Sequence, residues 1–183
     1  MTKKLIILLL SMFPVLVMAQ GHKGDVAECA PMKEGKVCYR DTVHVDDMNQ
    51  LQLFNVIEKW AKKTYGKDYF LSNVTTKKAK GLINISSKVE LLLNDTDKTQ
   101  VKYKMKINCY DNSYSAEVSS ITFQYDPNNE KKYKNYSAES IIANNGQSCT
   151  VPIIKDPKLF CNATFFFAEN LFADILNAVN DAE

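Results

Sequence analysis

Residues 101–125 read VKYKMKINCYDNSYSAEVSSITFQY and carry the clearest structural signal in the chain. Apolar and polar side chains alternate through residues 99–110, which is the two-residue period of a strand with one buried face. Asp111-Asn112 is a turn signal, and the alternation resumes after it. The phase slips at Ser119-Ser120, as one extra residue in a β-bulge would cause. These residues therefore predict an antiparallel hairpin with a bulge in its second strand.

The same alternation continues outward from this hairpin. Residues 36–45 and 80–92 predict two more half-buried strands, and a short segment at 69–76 would make a fifth. Apolar residues recur every three or four positions over 48–65 and 163–180, which predicts two amphipathic helices. The fold class is therefore α+β: an antiparallel sheet of four or five strands with two helices packed on one face.

Cap signals give the expected ends of the two helices. Asp46 and Asp47 offer an N-cap for the first helix, and Gly66 follows it as a stop. Asn162 or Thr164 would cap the second helix. The sheet face away from the helices is expected to be polar and in contact with water.

The N-terminus has the features of a secretory signal peptide. Lys3 and Lys4 precede an apolar run, and Ala19 fits the small residue of a cleavage site. The run is shorter than the ~20 residues that a membrane span needs. We therefore expect an exported protein, periplasmic or secreted, with no transmembrane segment in the mature chain.

This leader sets the domain organisation of the 183 residues. Residues 1–19 are assigned to the signal peptide, and the small and polar residues 20–35 to an N-terminal tether. Residues 36–183 form a single domain. Within it, residues 126–160 are rich in Tyr, Asn, Ser and Lys, and they are predicted to be an insertion before the C-terminal helix.

The charge balance argues against nucleic acid as a partner. The sequence has 23 basic and 21 acidic side chains, and removal of Lys3 and Lys4 with the leader leaves 21 of each. Proteins that bind nucleic acid or anionic membranes through bulk electrostatics favour a strongly basic domain. The neutral mature chain therefore gives no bulk electrostatic case for either partner.

Five cysteines in an oxidising compartment permit disulfides, and an odd number leaves at least one thiol outside intramolecular bridges. Cys109 shares an apolar strand face, so it is expected to be a buried, unpaired thiol. Cys149 and Cys161 bracket the end of the insertion, and a bridge between them is one pairing among several. No C-x-x-C motif of a redox or zinc site occurs.

Several short motifs of the chain resemble those of a known family. Gly35-Lys36-Val37-x-Tyr39 opens the first strand, Lys80-Gly81-Leu82-Ile83 opens the next, and Val101-x-Tyr103-x-Met105-x-Ile107 forms the central one. Over about residues 35–125, the chain resembles a domain of unknown function with a TATA-binding-protein-like (TBP-like) fold from secreted Bacteroides-type proteins. The resemblance implies this fold and an envelope location, but it implies no activity.

The sequence contains no recognised motif for catalysis or metal binding. The two histidines, His22 and His44, lie far apart in sequence, and no metalloprotease, nucleophile-elbow, P-loop or dinucleotide motif occurs. We therefore expect no catalytic residues, no metal site and no cofactor.

Two candidate binding surfaces remain, and both are hypotheses from pattern. The first is the polar sheet face, where Lys102, Lys104 and Lys106 point the same way, together with Arg40 and Lys88. An acidic glycan or a lipid phosphate would suit these cations, whereas a solvated face that prevents aggregation is the alternative.

The second candidate is the insertion. Its Tyr133 and Tyr136 suit recognition of a sugar or a protein surface. The sequence thus indicates an exported, non-enzymatic binding module of the cell envelope, with an envelope protein or glycan as partner and no nucleic acid. A hydrolase or transferase with an unrecognised active site is the alternative.

Overall fold

The structure is a computed structural model, and it describes residues 28–67, 71–125 and 134–182. Secondary structure covers most of these residues, and the 3₁₀ turns Lys78–Lys80 and Ala143–Gly146 add to it. In chain order, the strands and helices are β1 (Met32–Lys33), β2 (Lys36–Val37), β3 (Tyr39–His44), α1 (Gln50–Tyr65), β4 (Ser72–Lys77), β5 (Leu82–Leu92), β6 (Lys98–Tyr110), β7 (Ser113–Tyr125), β8 (Lys134–Ser137), α2 (Ala138–Ile141) and α3 (Pro157–Asn180).

The main sheet is antiparallel throughout, with the strand order β3-β7-β6-β5-β4. β8 pairs with the C-terminal half of β7, along the edge whose other half is taken by β3. The α+β class and the antiparallel sheet are confirmed. The main sheet has six strands rather than the predicted four or five, because β8 arises from the insertion. β1 and β2 form a separate small hairpin.

The predicted bulge lies in β7. Lys102 pairs with Thr122 and Lys104 pairs with Ser119, so two residues of β7 lie opposite one of β6. Ser120 has a φ of 54°, the left-handed conformation that a bulge residue adopts. The bulge restores the inward phase, and Val118, Ile121 and Phe123 all point into the core.

Both long helices pack on the same face of the sheet. Tyr103 of β6 donates a hydrogen bond from its hydroxyl to that of Tyr65 in α1, at 3.1 Å. The same tyrosine ring packs edge-to-face on Phe167 of α3, with the centroids 5.1 Å apart. One hydrophobic core therefore fills the space between the sheet and the two helices.

α1 begins later than predicted. Its N-cap is Asn49, not Asp46 or Asp47, and Gln52 completes a capping box with it. Asp47 has a φ of 57° and belongs to the turn before the helix. Gly66 ends α1, as predicted.

α3 begins earlier than predicted. Asp156 caps it and Pro157 occupies its first turn, a favourable position for proline. The predicted caps lie inside the helix, where the Thr164 hydroxyl donates to the carbonyl of Phe160. Among the described helices, only α3 is long and apolar enough to cross a membrane, a test that the core helix of a soluble protein also passes.

The described part of the insertion belongs to the core. β8 joins the sheet, and Ala138, Ile141 and Ile142 are fully buried. The composition of residues 126–160 suggested a loop because its apolar residues are few. These few apolar residues are nevertheless buried in the core, so residues 134–156 are packed as part of the domain.

The predicted Cys149–Cys161 bridge is wrong. Cys161 is bonded to Cys29, with their Cα atoms 5.4 Å apart, and Cys149 is a half-buried free thiol. The sequence favoured the short loop, but the fold places Cys29 beside α3. Cys109 is fully buried and unpaired, as predicted, and burial raises the pKa of its thiol to about 12.

The described end of the predicted tether is also fixed to the domain. Cys29 and Ala30 are buried, and the Asn145 side-chain oxygen accepts hydrogen bonds from both of their backbone amides. The predicted signal peptide and residues 20–27 lie outside the described residues.

Candidate functional site

The face of the main sheet away from α1 and α3 carries a broad polar surface, which we call the open face. Antiparallel register places side chains from every strand on it, because Cα partners in neighbouring strands point to the same side. One row across the sheet runs from Thr75 through Asn84, Lys106 and Glu117 to Arg40. Exposure of alternate residues in β6 confirms that this face is in contact with solvent.

Lysines dominate the centre of the open face. Lys102, Lys104 and Lys106 are all exposed and lie at alternate positions of β6. At a rise of about 3.4 Å per residue, successive lysines of this row are about 7 Å apart. Lys88 of β5 lies directly opposite Lys102, which places a fourth cation beside the row. The four predicted lysines are thus brought together.

Lys77 is a further open-face cation that sequence reasoning missed. It pairs with Leu82 at the end of β4, and this register puts the exposed lysine on the same face. The signal was the alternation of residues 72–77, which continues one residue past the segment assigned as a strand from sequence. Lys77, Lys88, Lys102, Lys104 and Lys106 form what we call the lysine cluster.

Arg40 lies on the open face but differs from the lysines. Its guanidinium donates to the Glu117 carboxylate at 2.7 Å, and Lys33 of the β1–β2 hairpin reaches the same oxygen at 3.3 Å. The hydrogen bond from Arg40 is the main cause that lowers the pKa of Glu117, and the one from Lys33 acts in the same direction. Arg40 is therefore engaged within the protein.

The lysine cluster has no such partners. No side chain in the cluster makes an ion pair or a hydrogen bond with any described residue. The other carboxylate among the described strand residues of this face, Glu90, binds Lys98 at 3.0 Å. Five uncompensated positive charges therefore lie on one face of a chain whose predicted mature form has no net charge.

The second predicted surface does not adjoin the first. Tyr136 pairs with Phe123, so its side chain lies on the helix side of the sheet rather than on the open face. There it lines a cleft of about 420 Å³ with Val151 and Ile153. Tyr133 lies outside the described residues.

A larger neighbouring cleft of about 680 Å³ is mainly apolar in its side chains, among them Ile153, Leu159 and Phe160. At its rim the Tyr125 hydroxyl donates a hydrogen bond to the Asp97 carboxylate at 2.8 Å. The pKa of Tyr125 is raised to about 12, mainly by burial and secondly by this hydrogen bond. The arrangement holds the tyrosine in its neutral form. Asp97 in turn fixes the turn before β6 by accepting from the amide of Lys98.

The described histidine and acidic residues are dispersed. His44 and Asp46 lie 3.2 Å apart on the surface, with 73% and 90% of their side chains exposed. Within residues 28–67, 71–125 and 134–182, no three His, Cys, Asp or Glu side chains are grouped so that they could hold a metal ion.

Comparison with known proteins bears on the fold and not on an activity. The family described as a domain of unknown function (DUF4468) with TBP-like fold matches residues 39–124. A TBP-like protein from Parabacteroides distasonis is 65% identical, with a TM-score of 0.83 over 85% of this chain and 100% of that chain. A DUF4468 family protein from Bacteroides ovatus is 21% identical, with a TM-score of 0.71 over 84% of this chain and 92% of that chain.

No protein of curated function matches the chain. The matched region contains β3 to β6 and nearly all of β7, so it includes every residue of the lysine cluster. The family match, the high identity to the Parabacteroides protein and the antiparallel sheet with helices on one face all agree. The chain belongs to the family of domains of unknown function with a TBP-like fold.

Proposed function

We propose that this protein is an exported, non-enzymatic binding module of the cell envelope, and that the open face of its sheet binds an anionic partner. The observation that carries the proposal is the lysine cluster, whose side chains have no partner among the described residues. Charged side chains on a merely solvated surface are more often interspersed with charges of the opposite sign.

The positions of the lysines support a binding role. Lys88 and Lys102 lie directly opposite each other on neighbouring strands. Like charges in this arrangement destabilise a sheet, by a fraction of a kcal/mol for each pair. An anion bound between the two would convert this repulsion into attraction, so the free protein is organised for a negatively charged partner.

The compartment has separate support. The leader has the features of a secretory signal peptide, and the Cys29–Cys161 disulfide is typical of oxidising compartments. A binding surface displayed there would meet envelope components. The family placement adds the fold, whereas the choice of partner rests on the open face alone.

A pair of charge-matched variants tests the proposal. In one, Lys102, Lys104 and Lys106 are replaced by Gln; in the control, Lys59, Lys63 and Lys67 are replaced, which are exposed on or just after α1. Both variants remove three positive charges from the chain. Binding of the labelled mature proteins to envelope fragments of Parabacteroides distasonis, the source of the similar structure, is measured over a range of salt concentrations.

We expect binding of the unmodified protein to fall steeply with salt, because charges on an exposed face are screened beyond ~10 Å at 0.1 M. The open-face variant should bind about tenfold more weakly, which corresponds to ~1.4 kcal/mol. The α1 variant should keep its affinity. Equal losses in the two variants, salt-independent binding, or turnover of an envelope component by the purified protein would contradict the proposal.

A further inference from the structure

We infer that the ligand of the open face is an acidic polysaccharide chain that lies along β6; this inference rests on the proposed function and names the class of its partner. It starts from the shape of the charge pattern. Lys102, Lys104 and Lys106 form a row at alternate positions of one central strand. At about 3.4 Å per residue, the row is about 14 Å long.

A row of this length favours a chain over a small anion. A phosphate or a single carboxylate would contact one lysine or two neighbours, and it would leave the rest of the row uncompensated. A polymer with a negative charge on successive units can neutralise Lys102, Lys104 and Lys106 together. Lys88 beside one end and Lys77 toward the β4 edge extend the positive field without breaking the row.

The side chains beside the row suit a hydroxyl-rich ligand. Ser86 and Ser119 flank Lys104 on its two neighbouring strands, and Thr122 flanks Lys102. Hydroxyls can both donate and accept hydrogen bonds, which matches the hydroxyl groups of a sugar chain. These side chains are short, so the lysines project above them and the ligand can lie flat on the sheet.

Glu117 does not repel such a ligand strongly. Its carboxylate lies opposite Lys106 in the register, but Arg40 and Lys33 both bind it. Two cations thus balance one anion at the β3 end of the face. The net charge there is positive, so Glu117 does not oppose an acidic chain that lies beside it along β6.

Two other classes of polyanionic ligand, single-stranded nucleic acid and an anionic lipid bilayer, fit the open face less well. Single-stranded nucleic acid is bound by stacking of successive bases on aromatic side chains. Among the described strand residues of this face, the aromatic rings are Tyr110 and His44, which lie together at one end and not along the lysine row. Bilayer binding combines basic residues with apolar ones that enter the lipid. Of the leucines in the described strands, Leu92 is the strongly exposed one, and it lies at the end of β5, beyond the Lys98–Glu90 pair.

The test uses the oxidised mature protein and defined probes. Binding is measured by calorimetry to galacturonate oligosaccharides of increasing length, to chondroitin sulfate, and to uncharged dextran. Vesicles of phosphatidylglycerol and a thymidine oligonucleotide at the same salt concentration represent the competing ligand classes. The open-face and α1 variants defined above are measured in parallel, and their thermal unfolding shows that both are folded.

We expect affinity for the acidic oligosaccharides to rise with length until the chain spans the lysine row, and to level off beyond it. The open-face variant should lose affinity about tenfold, equivalent to ~1.4 kcal/mol, while the α1 variant keeps it. Dextran should not bind.

The outcomes separate this inference from the proposed function. Lysine-dependent binding that is as tight for vesicles or for the oligonucleotide would overturn the polysaccharide and leave an anion-binding open face. Affinity that does not change with oligosaccharide length would overturn the chain lying along β6. If no anionic probe binds through the lysines, both proposals are wrong.

Discussion

Glu117 shows how a single residue shapes the charge of the open face. It accepts hydrogen bonds from Arg40 and Lys33, which belong to β3 and to the β1–β2 hairpin. The same carboxylate lies near Cys38, where burial is the main cause that raises the thiol pKa and the charge of Glu117 adds to it. Glu117 therefore links the hairpin to the sheet while it neutralises the cations around it.

Replacement of Glu117 by Gln should lower the free energy of unfolding at pH 7 by up to ~1 kcal/mol, the usual range for partly exposed ion pairs. Because the folded-state pKa of Glu117 is lowered, its stabilisation is complete above the ordinary value of 4.5 and is lost as the pH falls through the lowered value. Urea unfolding of the two proteins from pH 7 to pH 3 should give curves that converge at the acidic end.

Glu90→Gln is the matched control, since the Glu90–Lys98 pair is more exposed than the pairs of Glu117. Its effect should be smaller at every pH. A difference between the unmodified protein and Glu117→Gln that persisted unchanged at pH 3 would mean that the substitution disturbs packing and not charge.

At the scale of elements, the ends of α1 and α3 show where local signals compete. Asp46 and Asp47 are good N-cap residues in isolation, but the backbone of Asp47 is left-handed and lies in the turn. Asn49 lies two residues further on and satisfies the first turn through Gln52. Which of these residues becomes the N-cap depends on the path that the chain takes from the sheet into the helix. That path is set by the tertiary structure and not by the local sequence.

Asn49→Ala should therefore reduce the free energy of unfolding by about 1 kcal/mol, because it removes the hydrogen bond to the amide of Gln52. Asp46→Ala should change it by a few tenths of a kcal/mol, since the Asp46 side chain is 90% exposed and lies 3.2 Å from the exposed ring of His44. Urea midpoints at constant m-value measure both. A larger loss of stability for Asp46→Ala than for Asn49→Ala would contradict Asn49 as the N-cap and favour the cap predicted from sequence.

Alternation made the strands and the lysine row predictable, because each residue records locally which face of the sheet it occupies. The bulge at Ser119-Ser120 was predictable for the same reason, since the alternation of apolar and polar residues shifts by one position there. The pairing of Arg40 with Glu117 was not, because it depends on which strand lies beside β3.

At the scale of the whole molecule, three distant parts of the chain meet beside α3. The backbone carbonyl of Cys29 accepts from the Tyr39 hydroxyl at 2.7 Å, and the amide of Val37 donates to Glu139 in α2. Asn145, with a φ of 57°, holds the amides of Cys29 and Ala30. Such contacts have no local sequence signal, so the sequence does not predict the burial of Cys29 and Ala30 or of the residues around α2.

The Cys29–Cys161 disulfide links the N-terminal segment covalently to α3, and it joins residues 132 positions apart. In the chain-entropy account, closing so long a loop stabilises the folded state by up to ~5 kcal/mol. Replacement of both cysteines by Ala should therefore lower the free energy of unfolding by several kcal/mol, near the whole stability of an ordinary domain.

Counting thiols with Ellman's reagent identifies the bridge. The oxidised protein, unfolded in denaturant, should show three reactive thiols, which are Cys38, Cys109 and Cys149. The decisive variant is Cys149→Ala, because the count alone does not distinguish one single-bridge pairing from another. With Cys29 bonded to Cys161, this variant should show two thiols and nearly unchanged stability, since Cys149 is only half-buried. With Cys149 bonded to Cys161, removal of Cys149 would leave four thiols and a large loss of stability, and the covalent link between the N-terminal segment and α3 would be wrong.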